Sequence, residues 1–134
     1  MKTNYVDGFV FPIATKNIAA YKRIATGAGK IWMKYGALDY KECIGDDLKP
    51  EHAVMLFPKL AGVKKGETVG FSYITYKSRK HRDEVNKKVM KDPLMQKMPT
   101  SMPFDEKRMA VGGFTVLVDG VASVSKTKKA TKKR

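Results

Sequence analysis

The alternation of apolar and polar residues is clearest at two places in the chain. Residues 4–13 (NYVDGFVFPI) alternate with a period of two, which predicts a strand carrying Tyr5, Asp7, Phe9 and Phe11 on one side and Val6 and Val10 on the other. Residues 67–76 (ETVGFSYITY) alternate in the same way and are rich in β-formers. Helical spacing appears over 17–35, where Ile18, Tyr21, Ile24 or Ala25, Ala28, Ile31 or Trp32, and Tyr35 recur every three or four residues. Asn17 can cap that helix and Gly36 can end it, while Gly27 and Gly29 weaken it. Ser78 heads a second helical stretch over 79–91, which Asp92-Pro93 stops.

Residues 37–44 (ALDYKECI) predict another strand, closed by Gly45-Asp46-Asp47. The segment 49–66, with an apolar centre from Ala53 to Phe57 and a Lys64-Lys65-Gly66 turn, reads as an extended arm or short irregular strand. Residues 92–107 form a loop with three prolines and Met95, Met98 and Met102, and a last strand follows over 108–118. Gly112-Gly113 in that strand suggests a bulge or the close approach of another group. The order is β-α-β-β-α-β with an insertion before the third strand. It predicts an α+β, ferredoxin-like fold with a four-stranded antiparallel sheet. Two helices on one sheet face leave an apolar opposite face. Pairing of two such faces about a two-fold axis gives a homodimer.

Composition sharpens this picture. The 134 residues suit one domain over 1–125, with 43% hydrophobic residues to fill its core. The formal net charge is +14, of which the stretch 126–134 (KTKKATKKR) supplies six positive charges and no negative one. That stretch reads as a disordered basic tail. The single cysteine, Cys43, excludes an internal disulfide and a CxxC metal site. Asp7 and Pro12 break the N-terminal apolar run, so no signal peptide is read there, and no run is long enough to span a membrane. The expected location is the cytoplasm.

The stretch 101–114 (SMPFDEKRMAVGGF) is the most distinctive in the chain. Together with Tyr5-Val6-Asp7-Gly8-Phe9, Tyr35-Gly36-Ala37-Leu38, Glu42-Cys43, Phe71-Ser72-Tyr73-Ile74 and Asp92-Pro93, it resembles the YbaA-like family of small bacterial proteins, a domain of unknown function. The resemblance runs over residues 4–118 and implies a dimeric α/β barrel, in which two ferredoxin-like protomers share a barrel with helices outside.

Several residues could carry chemistry. Asp105 and Arg108 stand three apart ahead of the last strand. They suggest an ion pair that locks the loop, or an anion-binding arginine oriented by its acidic neighbour. Tyr5 and Asp7 share one strand face, as do Tyr40 and Glu42. A carboxylate on a core face needs a partner such as Arg82 or Arg108. Those groups would form either a satisfied polar network or a cavity in which Asp7 or Glu42 moves a proton, with Tyr5 and Tyr73 at hand. Cys43 reads as a small buried hydrophobe. His52 and His81 do not converge with other ligands, so no metal site is predicted, and no cofactor fingerprint is present. Two functions follow. One is a binder or enzyme for a small anionic or aromatic metabolite, held between sheet and helices. The other is a non-catalytic dimer that binds nucleic acid non-specifically through its basic surface and Lys126, Lys128, Lys129, Lys132, Lys133 and Arg134.

Overall fold

A computed structural model describes residues 2–120, so the basic tail lies outside the described residues. The elements run β1 (Tyr5–Ala14), a 3₁₀ turn (Thr15–Asn17), α1 (Ile18–Lys34), β2 (Asp39–Ile44), α2 (Phe57–Ala61), β3 (Glu67–Tyr76), α3 (Arg79–Lys91), α4 (Pro93–Gln96), a second 3₁₀ turn (Glu106–Arg108) and β4 (Ala110–Thr115). The four strands form one sheet in the order β2-β3-β1-β4, with every neighbouring pair antiparallel. The sheet is open, not a closed barrel, and β2 and β4 are its edges.

The period-two pattern of β1 dictates how the sheet divides. Tyr5, Asp7, Phe9, Phe11 and Ile13 share a face with Ile74 and Tyr76 of β3, and α1 and α3 pack there. One buried cluster joins Tyr5, Ile74 and Tyr76 to Ile31, Val85 and Val89 of the two helices. A second joins Phe11, Ile13, Tyr21 and Ala25, and Met102, Phe104 and Met109 pack against it. Phe104 stacks on Phe11 at 4.5 Å between centroids and meets Tyr21 edge-on at 5.6 Å. The Pro103-Phe104 loop therefore plugs the core between α1 and the sheet. Polar pins accompany the apolar contacts. Asn86 of α3 accepts from the Trp32 indole at 3.0 Å and from the Tyr76 hydroxyl at 3.4 Å. Buried Asp92 accepts from the Tyr35 hydroxyl, the Lys34 ammonium and the Leu94 amide, tying the ends of α1 and α3 to the start of α4.

Several local expectations are corrected. The arm 49–66 holds a helix, because Leu56 enters extended, Pro58 fits the first turn and Gly62 takes φ 68° to stop it. The loop after α3 holds α4, capped by Asp92, whose side chain accepts from Leu94 N–H. Asn17 does not cap α1; its amide donates to the Pro103 carbonyl at 3.2 Å, bracing the loop against the helix start. The last strand is shorter than 108–118, because Arg108 belongs to a 3₁₀ turn. Its Gly112 and Gly113 pair in unbroken register with Gly8 and Asp7, so no bulge forms. The glycine at 113 serves close approach instead, since a Cβ there would collide with the Tyr5 ring. Cys43 is exposed, not buried.

The other sheet face carries Val6, Val10, Phe71, Tyr73 and Phe114, and its far end is covered by α2 through Phe57 against Phe71. Phe71 and Phe114 stay 43% and 60% exposed. Lys41 on this face is paired to Asp39 at 2.6 Å, so the face is apolar and nearly neutral within a strongly basic chain.

Candidate functional site

The predicted site residues fall in four separate places. Asp7 and Arg82 meet on the helix-covered face, where Arg82 Nη1 donates to Asp7 Oδ1 at 2.7 Å and its guanidinium lies 5.1 Å from the centre of the Tyr5 ring. Arg82 also binds Asp83 through Nε at 2.8 Å. Burial raises the Asp7 pKa, against the pull of Arg82. The carboxylate of Asp7 is thus a neutralised strut between β1 and α3.

Arg108 and Asp105 do not form the expected ion pair. Asp105 turns back to accept from the Lys107 amide at 3.0 Å, which caps the 3₁₀ turn. Arg108 instead reaches across the fold to Glu67, donating from Nη1 and Nη2 at 2.8 Å each, and its Nη2 also donates to the Gly62 carbonyl. Hydrogen bonds from Arg108 and from the Lys64 amide hold the Glu67 pKa down to about 2. This fork pins the end of α2 to the start of β3, and pairs the guanidinium with a carboxylate of the chain itself. Tyr73 stands on the opposite sheet face, 6.2 Å from Phe71, away from all of these groups.

Glu42 is the exception, because it opens to a groove. Its register opposite Ser72 places it on the helix face of β2, where α1 crosses. Tyr21 of α1 donates its hydroxyl to Oε1 at 2.6 Å, and Tyr40 donates to Oε2 at 2.7 Å. Tyr21, Ala25 and Gly29 recur at four-residue steps, so small residues follow Tyr21 along the helix and leave space beside it. At Gly29 the Tyr40 ring rests on the helix backbone, where a Cβ would come within 3.0 Å of the ring. The result is a groove of about 380 Å³ lined by Ile18, Tyr21, Lys22, Ala25, Thr26, Gly29, Tyr40, Glu42 and Ile44. Burial, followed by the Glu42 charge and hydrogen bond, pushes both tyrosine pKa values up, so each phenol keeps its proton.

Arg82 and Arg108, proposed as partners for Glu42, are both engaged elsewhere; two phenols take that role. Asp7 and Glu42 sit two strands and two residues apart, roughly 12 Å by sheet spacing, with Phe9 and Ile74 between them. They cannot act on one small substrate together. Lys126, Lys128, Lys129, Lys132, Lys133 and Arg134 lie outside the described residues. Among the described residues no cluster of metal-ligating side chains occurs, and no helix is long and apolar enough to cross a membrane. Of the partners of Glu42, Tyr40 was placed on its face by the strand period, while Tyr21 escaped, although the Tyr21, Ala25, Gly29 stripe was a visible signal of an uncrowded helix face.

Comparison with known proteins agrees with the resemblance carried by the 101–114 stretch. The chain is 40% identical over 115 residues to "Uncharacterized protein YbaA" of Escherichia coli (strain K12), which covers 86% of this chain and 97% of that relative. The same figures hold for "Uncharacterized protein YbaA" of Shigella flexneri. A family model described as "Protein of unknown function (DUF1428)" matches residues 4–106, and the chain belongs to that family.

Proposed function

We propose that this protein binds a small, flat, largely apolar molecule in the groove between α1 and β2. One observation carries this reading: the Glu42 carboxylate, held by a phenol on each oxygen, faces an apolar groove of about 380 Å³. That volume falls within the range of small-molecule sites, which pair apolar walls with a few fixed polar groups. The site takes an aromatic or similar body in preference to an anion, because Arg108, the residue expected to hold an anion, is forked onto Glu67, and Arg82 is paired with Asp7. The site is best understood as a binding site in which Glu42 is the one carboxylate of the lining.

The assembly proposed with it is a cytoplasmic homodimer of ferredoxin-like protomers, paired through the sheet face of Val6, Val10, Phe71, Tyr73 and Phe114. The strand order β2-β3-β1-β4 and the exposure of Phe71 and Phe114 support it. The charge pattern supports it too, since the face is nearly neutral while the chain carries +14.

A thermal-shift screen of a metabolite library tests the groove, with Thr26→Trp as the control that blocks it from the exposed side of α1. Hits that stabilise the wild type and fail with Thr26→Trp are expected; hits indifferent to that change would overturn the reading. Sedimentation of Phe114→Lys tests the assembly, with a shift from dimer to monomer expected.

A further inference from the structure

The charge inside the groove decides what it can take. Glu42 forms no ion pair among the described residues, although the chain carries 27 lysines and arginines. Its two phenol partners each occupy one acceptor position, and a carboxylate offers about four. The remaining lone pairs, and those of the two phenol oxygens, are acceptors. The hydroxyl donors of the groove are committed: Tyr21 and Tyr40 donate to Glu42, and the Thr26 hydroxyl donates to the Lys22 carbonyl at 2.7 Å. Lys22 is the one cation of the lining; it is exposed, and no ion pair joins it to Glu42. An incoming carboxylate or phosphate placed beside Glu42 would meet a negative charge and hydroxyls that already donate elsewhere. An ammonium group has the opposite chemistry, with three donors and no acceptor.

We infer that the groove selects an organic amine: a primary or secondary ammonium on a flat apolar body. The nitrogen sits against Glu42 between the phenols of Tyr21 and Tyr40, and the body lies along Ile18, Ala25 and Ile44. This rests on the groove being a binding site. The ammonium neutralises a carboxylate that the protein itself leaves without a counter-charge, and the electron-rich tyrosine faces favour a cation beside them. The raised pKa values of both phenols fit this, because they stay neutral donors to Glu42 and add no second negative charge.

Three probes of one shape separate charge from fit: benzylamine, benzyl alcohol and benzoate. Each is titrated into the full chain at pH 7 and followed by amide ¹⁵N–¹H shifts at Thr26, Gly29 and Glu42. Benzylamine is expected to saturate those shifts with affinity roughly tenfold or more above benzyl alcohol, with benzoate inert. Glu42→Gln should erase that preference while keeping spectral dispersion, and Tyr21→Phe should weaken it less. Equal binding of benzylamine and benzyl alcohol would overturn the amine inference and leave the groove reading standing. No groove shift with any probe would overturn the amine inference, while the library screen judges the groove separately. Benzylamine shifts that survive Thr26→Trp would sink both.

Discussion

Arg82→Ala gives the most direct test of how the helix face is held together. Asp7 has a side chain only 7% exposed, and Arg82 is its one side-chain donor among the described residues. Removing the guanidinium leaves a buried carboxylate without a counter-charge, which typically costs about 3–5 kcal/mol. Arg82 is 19% exposed, so water can enter the vacated space, and the lower end, about 3 kcal/mol, is expected here. The loss should also depend on pH. Burial already raises the Asp7 pKa, and without Arg82 the chief opposing influence is gone, so it rises further. A carboxyl with a raised folded pKa opposes folding above its ordinary value of 3.8, and is relieved as pH falls through the folded value. The deficit of Arg82→Ala should therefore narrow between pH 7 and pH 4. Adding Asp7→Asn should recover much of it at pH 7. Urea unfolding followed by far-ultraviolet circular dichroism measures both effects. A loss below about 1 kcal/mol at pH 7, or one equal at both pH values, would refute the reasoning.

Three further outcomes are expected. Glu67, held down to about 2 mainly by Arg108, contributes stability above its ordinary 4.5 that is lost as pH falls toward 2, so Glu67→Gln should flatten that limb of the Tm–pH curve. Burial lowers the His81 pKa, and its Nδ1 accepts from the Lys77 amide at 3.0 Å. Its NMR titration midpoint should lie below 6.5, and stability should decline as pH drops from 6.5 through that midpoint, then level off. The Thr75 hydroxyl is buried without a partner, so Thr75→Val should be neutral or stabilise by up to about 1 kcal/mol in chemical denaturation.

How much of this was legible in the sequence follows from the range of each interaction. β1, β3, α1 and α3 were readable because each repeats its pattern over ten or more residues. The five residues of α2 are too few for a period, and only Pro58 and Gly62 mark its ends. Proximity along the chain misled at Arg108. A 3₁₀ turn directs Asp105 to its own backbone, while Glu67, 41 residues away, supplies the carboxylates' geometry for a guanidinium fork. Asp7 and Arg82 were predictable as a type of pairing, since a core-facing carboxylate requires a cation. The Glu42 floor was not, because Tyr21 reaches it only through the way α1 lies across β2.

The indole of Trp32, bonded to Asn86, gives the protein a built-in optical probe. It is the chain's one tryptophan, so selective excitation reports a single place, the junction of α1 and α3. Its ring lies 6.1 Å from Tyr40, which forms part of the groove wall. Emission from Trp32 therefore reads the docking of α1 on α3 without any attached label, from a ring that also neighbours the groove wall.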